Sequence, residues 1–207
     1  MNKKITQFKW LVTMLLLVTA MAMPKMAWAE INPKQPSGKG TADSPYQIGT
    51  AEELYWFAAL VNGDTSAPEV SSENTGACAT LTANITVNNN VLYPNGTLNG
   101  SGFEPWIPIG YSGSGYEGTF DGQGHTISGL YFNNKDLDMV GLFGQNVGTI
   151  KNVGVVDSYF CGKERVGGVC GGNSEGGTIT GCYNTGTVSG SSYVGGVCGD
   201  NDGATIT

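Results

Sequence analysis

The chain has 207 residues, with ten basic and seventeen acidic side chains and a formal net charge of −7. Acidity without a basic cluster repels phosphate backbones and sets nucleic acid aside as a partner. The 33 glycines recur at regular intervals among Val, Ile, Leu, Phe and Tyr, so the composition describes a thin, repetitive core rather than a low-complexity linker.

At the N-terminus Lys3, Lys4 and Lys9 precede an apolar run of 14 residues from Trp10 to Met23, followed by Pro24 and then Ala27-Trp28-Ala29. This charged, apolar, small-residue order is that of a secretory signal peptide over 1–29, with cleavage expected after Ala29. The run is too short for a permanent membrane helix, and no other stretch is long and apolar enough to be one. Cleavage would leave six basic and seventeen acidic side chains, a formal net of −11, and place the chain outside the cell or on its surface.

Residues 30–44, rich in Pro, Gly, Ser and Lys, read as a flexible lead-in. An N-terminal cap is expected over 45–117. Within it Thr50 and Glu53 form a capping box, and Leu54, Phe57, Ala58 and Val61 share one face of a helix predicted over 51–62, with Trp56 and Leu60 making the rest apolar. Gly63 is placed to end the helix. Such a helix fits an end cap for a stack of strands, whose first coil would otherwise show unpaired edges; a partner-binding helix is the competing reading. A strand is predicted over 77–87, then turns at Pro94-Asn95-Gly96, Asn99-Gly100 and Ser101-Gly102 and a short extended piece at Trp106–Gly110.

From Gly118 to Thr207 the chain repeats itself. Val140-Gly141-Leu142-Phe143-Gly144 is followed by Gly167-Gly168-Val169-Cys170-Gly171 and Gly195-Gly196-Val197-Cys198-Gly199, whose closing glycines are 27 and 28 residues apart. Thr-Ile pairs ending at Ile127, Ile150, Ile179 and Ile206 recur at spacings of 23, 29 and 27. Short β-branched runs separated by glycine and asparagine cannot close a core alone, so successive turns must stack. The predicted fold is all-β, a parallel β-helix of about three coils behind a capping α-helix. In it Ile127, Ile150, Ile179 and Ile206 form one internal column and Leu142, Val169 and Val197 another. Phe143, Cys170 and Cys198 lie beside the second, with their facing open, and the motif glycines supply positive-φ corners. A leucine-rich horseshoe lacks its L-x-x-L-x-L frame here, and a sandwich would not show long-range self-similarity.

These residues resemble a known family. Gly118-Thr119-Phe120-Asp121-Gly122-Gln123-Gly124-His125-Thr126-Ile127-Ser128-Gly129-Leu130, the Val140–Gly144 block, Gly148–Val153 and the segment Gly181–Gly190 are similar to the GLUG-repeat proteins of bacteria, and the likeness extends upstream through Thr41–Ile48 and the helix. The resemblance implies a right-handed parallel β-helix in secreted or surface-attached, adhesin-like proteins; some such repeats are appended to IgA-directed metalloproteases. This chain shows no H-E-x-x-H.

Candidate chemistry is sparse, and no catalytic residue, metal site or cofactor is expected. His125, the one histidine, sits in a turn. Asp200-Asn201-Asp202-Gly203 has oxygens at a calcium-like spacing without a closing glutamate, and Lys163, Glu164 and Arg165 read as an exposed corner. Cys78, Cys161, Cys170, Cys182 and Cys198 are an odd number without CxxC spacing, which fits small apolar repeat positions; their disulfide status stays open. Trp106, Tyr111, Tyr116, Tyr131 and Phe132 could stack on sugar rings or fill the core. The expected role is a non-catalytic surface or adhesion module for a host, matrix or glycan partner, and the alternative is a carbohydrate-active enzyme on the same scaffold. With nothing after Ile206 but Thr207 to close the stack, the last coil is expected to continue in a longer protein or to self-associate end to end.

Overall fold

The structure, a computed structural model, describes residues 31–111, 113 and 115–207. The expected leader, 1–29, lies outside these residues. Among them no helix is long and apolar enough to cross a membrane.

Glycine and asparagine turns cut the repeat region into runs of two to five residues, each too short to bury a face alone. Pairing is therefore entirely between coils, and every strand pair is parallel. Five walls result. The first comprises Tyr46–Ile48, Ala79–Leu81, Thr119–Asp121, Thr149–Lys151, Thr178–Thr180 and Thr205–Ile206 in that order. The second stacks Ile85–Thr86, Thr126–Ser128, Gly154–Val156 and Tyr183–Asn184. The third stacks Tyr131–Asn133, Tyr159–Cys161 and Thr187–Ser189. The fourth pairs Glu164–Gly167 with Ser192–Gly195 and is met by a bridge from Val140. The fifth stacks Phe143–Asn146, Cys170–Ser174 and Cys198–Asp202. The described residues form a parallel β-solenoid of about three turns with one short helix.

The internal columns differ from the sequence expectation at one residue. Phe120, Ile150, Ile179 and Ile206 stand in register on the first wall, whereas Ile127 belongs to the second, between Ile85 and Val155. Thr-Ile pairs occur on both walls, and the odd spacing of 23 was a change of wall rather than of coil length; along the first wall the true steps from Thr119 are 30, 29 and 27 residues. Phe120, Ile127, Ile150 and Ile179 are buried, and Ile206, on the outer edge of the stack, is 42% exposed. Leu142 and Val169 are buried with Val197 partly so, and Phe143, Cys170 and Cys198 face the same core, in register on the fifth wall.

All the motif glycines but Gly196 are needed for close approach, and none for positive φ. Gly141, Gly144, Gly168, Gly171, Gly196 and Gly199 are absent from the left-handed region, and the corner residues that do adopt it are Met139, Arg165 and Tyr193, at φ of 53 to 56°. A Cβ on Gly171 would lie 2.5 Å from the Met139 carbonyl carbon, and one on Gly199 2.5 Å from Val166 N. Each closing glycine thus lets the fifth wall press against the backbone of the preceding corner.

Helix α1 spans Ala51–Asn62. Thr50 Oγ1 accepts a hydrogen bond from Glu53 N and the Glu53 carboxylate accepts one from Gly49 N, while Gly63 closes the helix at φ 68°. Every residue from Leu54 to Val61 is buried, so the helix has no free apolar face and plugs the end of the solenoid. Phe57 meets Tyr116 and Phe120, and Phe120 meets Phe143 with ring centroids 5.3 Å apart. Polar atoms in this plug are paired: Trp56 Nε1 donates to Pro68 O, Tyr55 OH to Pro105 O and Tyr116 OH to Ala77 O. Burial pushes both tyrosine phenols well above their ordinary pKa.

Two upstream segments also differ from expectation. The stretch expected as one strand over 77–87 is two, Ala79–Leu81 and Ile85–Thr86, on different walls. The segment expected as a flexible lead-in is held to the body through Lys34 N to Glu52 O, Gln47 N to Ser37 O and Cys78 N to Gly40 O.

Candidate functional site

The third wall places Tyr131 and Tyr159 at equivalent positions of adjacent coils, with Thr187 next in line. Their inward neighbours Phe132 and Phe160 are buried, which turns the tyrosines outward. The two rings stack at 6.2 Å with 23° between planes, and Phe103 extends the row, 5.4 Å from Tyr131. Phe103 arrives from a loop that adds itself to the wall: Trp106 N donates to Tyr131 O, and Asn88 clamps the loop by donating to Glu104 O and accepting from Glu104 N. Partial burial, then Cys161 nearby, pushes the Tyr159 phenol above its ordinary value.

A groove flanks each edge of this wall. One, of about 260 Å³, is lined by Lys135, Tyr159, Cys161, Ser189 and Ser191. The other, of about 470 Å³, runs between the 90–99 loop and the corner holding Asp157 and Thr185. Rings on a flat wall with polar side chains at both edges can stack on an apolar ring face and hydrogen-bond its rim.

Of the aromatics named from sequence, Trp106 and Tyr116 are core, Phe132 is buried, and Tyr111 and Tyr131 are partly exposed. Trp106 Nε1 donates to the Gly141 and Leu142 carbonyls, so that residue holds the first motif block in place. The other candidates are dispersed. His125 Nδ1 lies 3.2 Å from Asn84 Oδ1. Arg165 pairs with Asp200 at 3.1 Å and lies over the Tyr193 ring, which takes Asp200 out of the calcium-like set. Asn201 lies in a side-chain ladder. All five cysteines are free thiols.

Sequence reasoning missed two features. Tyr159 repeats Tyr131 in the Tyr-Phe pairs Tyr131-Phe132 and Tyr159-Phe160, a signal present but unused. The other is an asparagine ladder on the fifth wall. Asn146 Nδ2 donates to Asn173 Oδ1 at 2.7 Å and Asn173 Nδ2 to Asn201 Oδ1 at 2.8 Å, with Asn146 and Asn173 buried. Each stands two residues after a closing glycine, at Gly144, Gly171 and Gly199, so the repeat block could have been extended to include it.

Residues 162–189 match the family model of the GLUG motif; they begin just after the third-wall strand Tyr159–Cys161, run through strands of the fourth, fifth, first and second walls, and end on the third-wall strand Thr187–Ser189. The chain is similar to halomucin of Haloquadratum walsbyi, 33% identical over 153 residues, which is 73% of this chain and 2% of that protein. It also resembles a solved structure of a Bacteroides ovatus protein provisionally named an immunoglobulin A1 protease, at 19% identity and a TM-score of 0.45, over 82% of this chain and 66% of that one. The chain thus carries a GLUG motif at residues 162–189, set within a parallel stack of glycine-closed blocks.

Proposed function

We propose that the chain is an exported, non-catalytic surface module whose third wall holds a host, matrix or glycan partner. The observation that carries the reading is the Phe103, Tyr131, Tyr159 row, because a half-exposed aromatic stack on a rigid sheet offers contact area at little cost in side-chain entropy. The signal-like leader and the likeness to a protein named as a mucin support an extracellular setting.

The test is retention of residues 30–207 on arrays of glycans, mucins and matrix proteins. The wild-type chain is expected to bind at least one class, and Tyr131→Ala with Tyr159→Ala to weaken binding about tenfold, the scale of two lost aromatic contacts. Binding no better than background, or a double variant that binds like wild type, would end the proposal. Calcium-dependent release of unsaturated products from acidic polysaccharides would instead establish the enzyme reading.

A further inference from the structure

We infer that the groove between the 90–99 loop and the second coil is a binding site for a single neutral hexopyranose residue. This goes beyond the wall reading above, naming a second site and the class of its ligand.

The loop is built to hold still. Tyr93 N donates to Thr97 O, Gly96 N to Tyr93 O and Asn99 N to Val91 O, and Asn99 Nδ2 donates to Asn90 O. It is then fixed to two different coils: Val91 N and Leu92 N donate to the two carboxylate oxygens of Asp157 at 3.2 and 2.9 Å, and Thr187 Oγ1 donates to Gly96 O at 2.6 Å. On this fixed loop Tyr93 is 51% exposed at the groove. A large ring kept in water on an immobilised loop has its ordering cost met in advance, which is the condition for binding a small ligand with few contacts.

The lining selects the ligand's chemistry. Asn90, Leu92, Tyr93, Asn99, Asp157 and Thr185 surround the space, and none is basic. Asp157 is occupied by the two backbone amides, so it fixes the loop rather than meeting a cation. The chain's net charge of −7 repels anions, which disfavours uronates and sulfated sugars. The groove itself is open and lined largely by polar residues, so it offers a peptide side chain no enclosed apolar pocket. What remains is one ring face from Tyr93 with the Asn90 amide and the Thr185 hydroxyl beside it, a set that matches a sugar ring with one apolar face and a rim of hydroxyls.

Amide chemical-shift mapping of the full chain, titrated with the methyl pyranosides of glucose, galactose and mannose and separately with glucuronate, tests this. Shifts at Tyr93, Gly96 and Thr185 are expected with at least one neutral glycoside, with glucuronate at least tenfold weaker. Tyr93→Ala should weaken binding about tenfold, and Lys34→Ala, at an exposed residue far along the chain from the groove, should leave it unchanged. No shift near Tyr93 at saturating glycoside, equal response to glucuronate, or an unaltered titration in Tyr93→Ala would each overturn the inference. If the groove responds while array retention is absent, the wall proposal falls alone; if array retention depends on Tyr131 and Tyr159 while the groove stays silent, only this inference falls.

Discussion

At the residue scale the asparagine ladder shows how a polar side chain earns a place in a thin core. Asn173 accepts from Asn146 and donates to Asn201 and to Gly177 O, so its amide serves both neighbours and its own turn. Replacing it with Ala orphans buried partners, and urea unfolding of Asn173→Ala is expected to show a loss of about 1–3 kcal/mol. Asn201, exposed and with a neighbour on one side only, should lose under about 1 kcal/mol on the same change; equal costs would contradict the ladder's role. The cysteines beneath the same wall separate by environment. Burial pushes the Cys170 thiol well up, while the hydrogen bond from Cys170 draws the Cys198 thiol below its ordinary value. Native alkylation at pH 8 followed by peptide mapping should therefore label Cys198 well before Cys170.

At the element scale, the glycine-closed block is a packing device whose tolerance depends on the position within it, the closing glycines Gly171 and Gly199 being tight and Gly196 open. Gly171→Ala would drive a Cβ into the Met139 backbone and should cost several degrees in thermal melting, whereas Gly196, with nothing within 4 Å of its missing Cβ, should accept Ala within about 0.5 kcal/mol. A similar melt for the two would show that the blocks are needed for turn conformation rather than contact. The blocks were legible in the sequence because they recur once per coil, and the capping box because its cause is local, an amide four residues from its carboxylate. The register of the strands was not. Runs of three residues carry too little alternation to fix a facing, and Thr126-Ile127 looks like Thr149-Ile150 although they lie on different walls. The candidate site was half legible. Tyr131 could be named and Tyr159 read from the repeated Tyr-Phe pair, but Phe103 joins them only through Trp106 N and Asn88, contacts that no local pattern encodes.

At the scale of the whole molecule, helix α1 and its aromatic plug close one end of the solenoid, and the last described coil carries Tyr193 58%, Val194 45% and Ile206 42% exposed on parallel strand edges. Such edges are templates for pairing, so light scattering of residues 30–207 is expected to show concentration-dependent association that Val194→Lys removes; a monomer at every concentration would refute it. The ladder adds an arrow to this picture. Each asparagine hands its amide hydrogen onward in the same sense, and Asn201, with one hydrogen turned to Ala204 O, presents the other outward. An incoming turn that carries an oxygen at that rung is welcomed, whereas a copy meeting the edge head-on about a two-fold axis sets one hydrogen against another. Self-paired molecules should therefore sit displaced sideways, and seamless lengthening belongs to strands that approach with the same polarity.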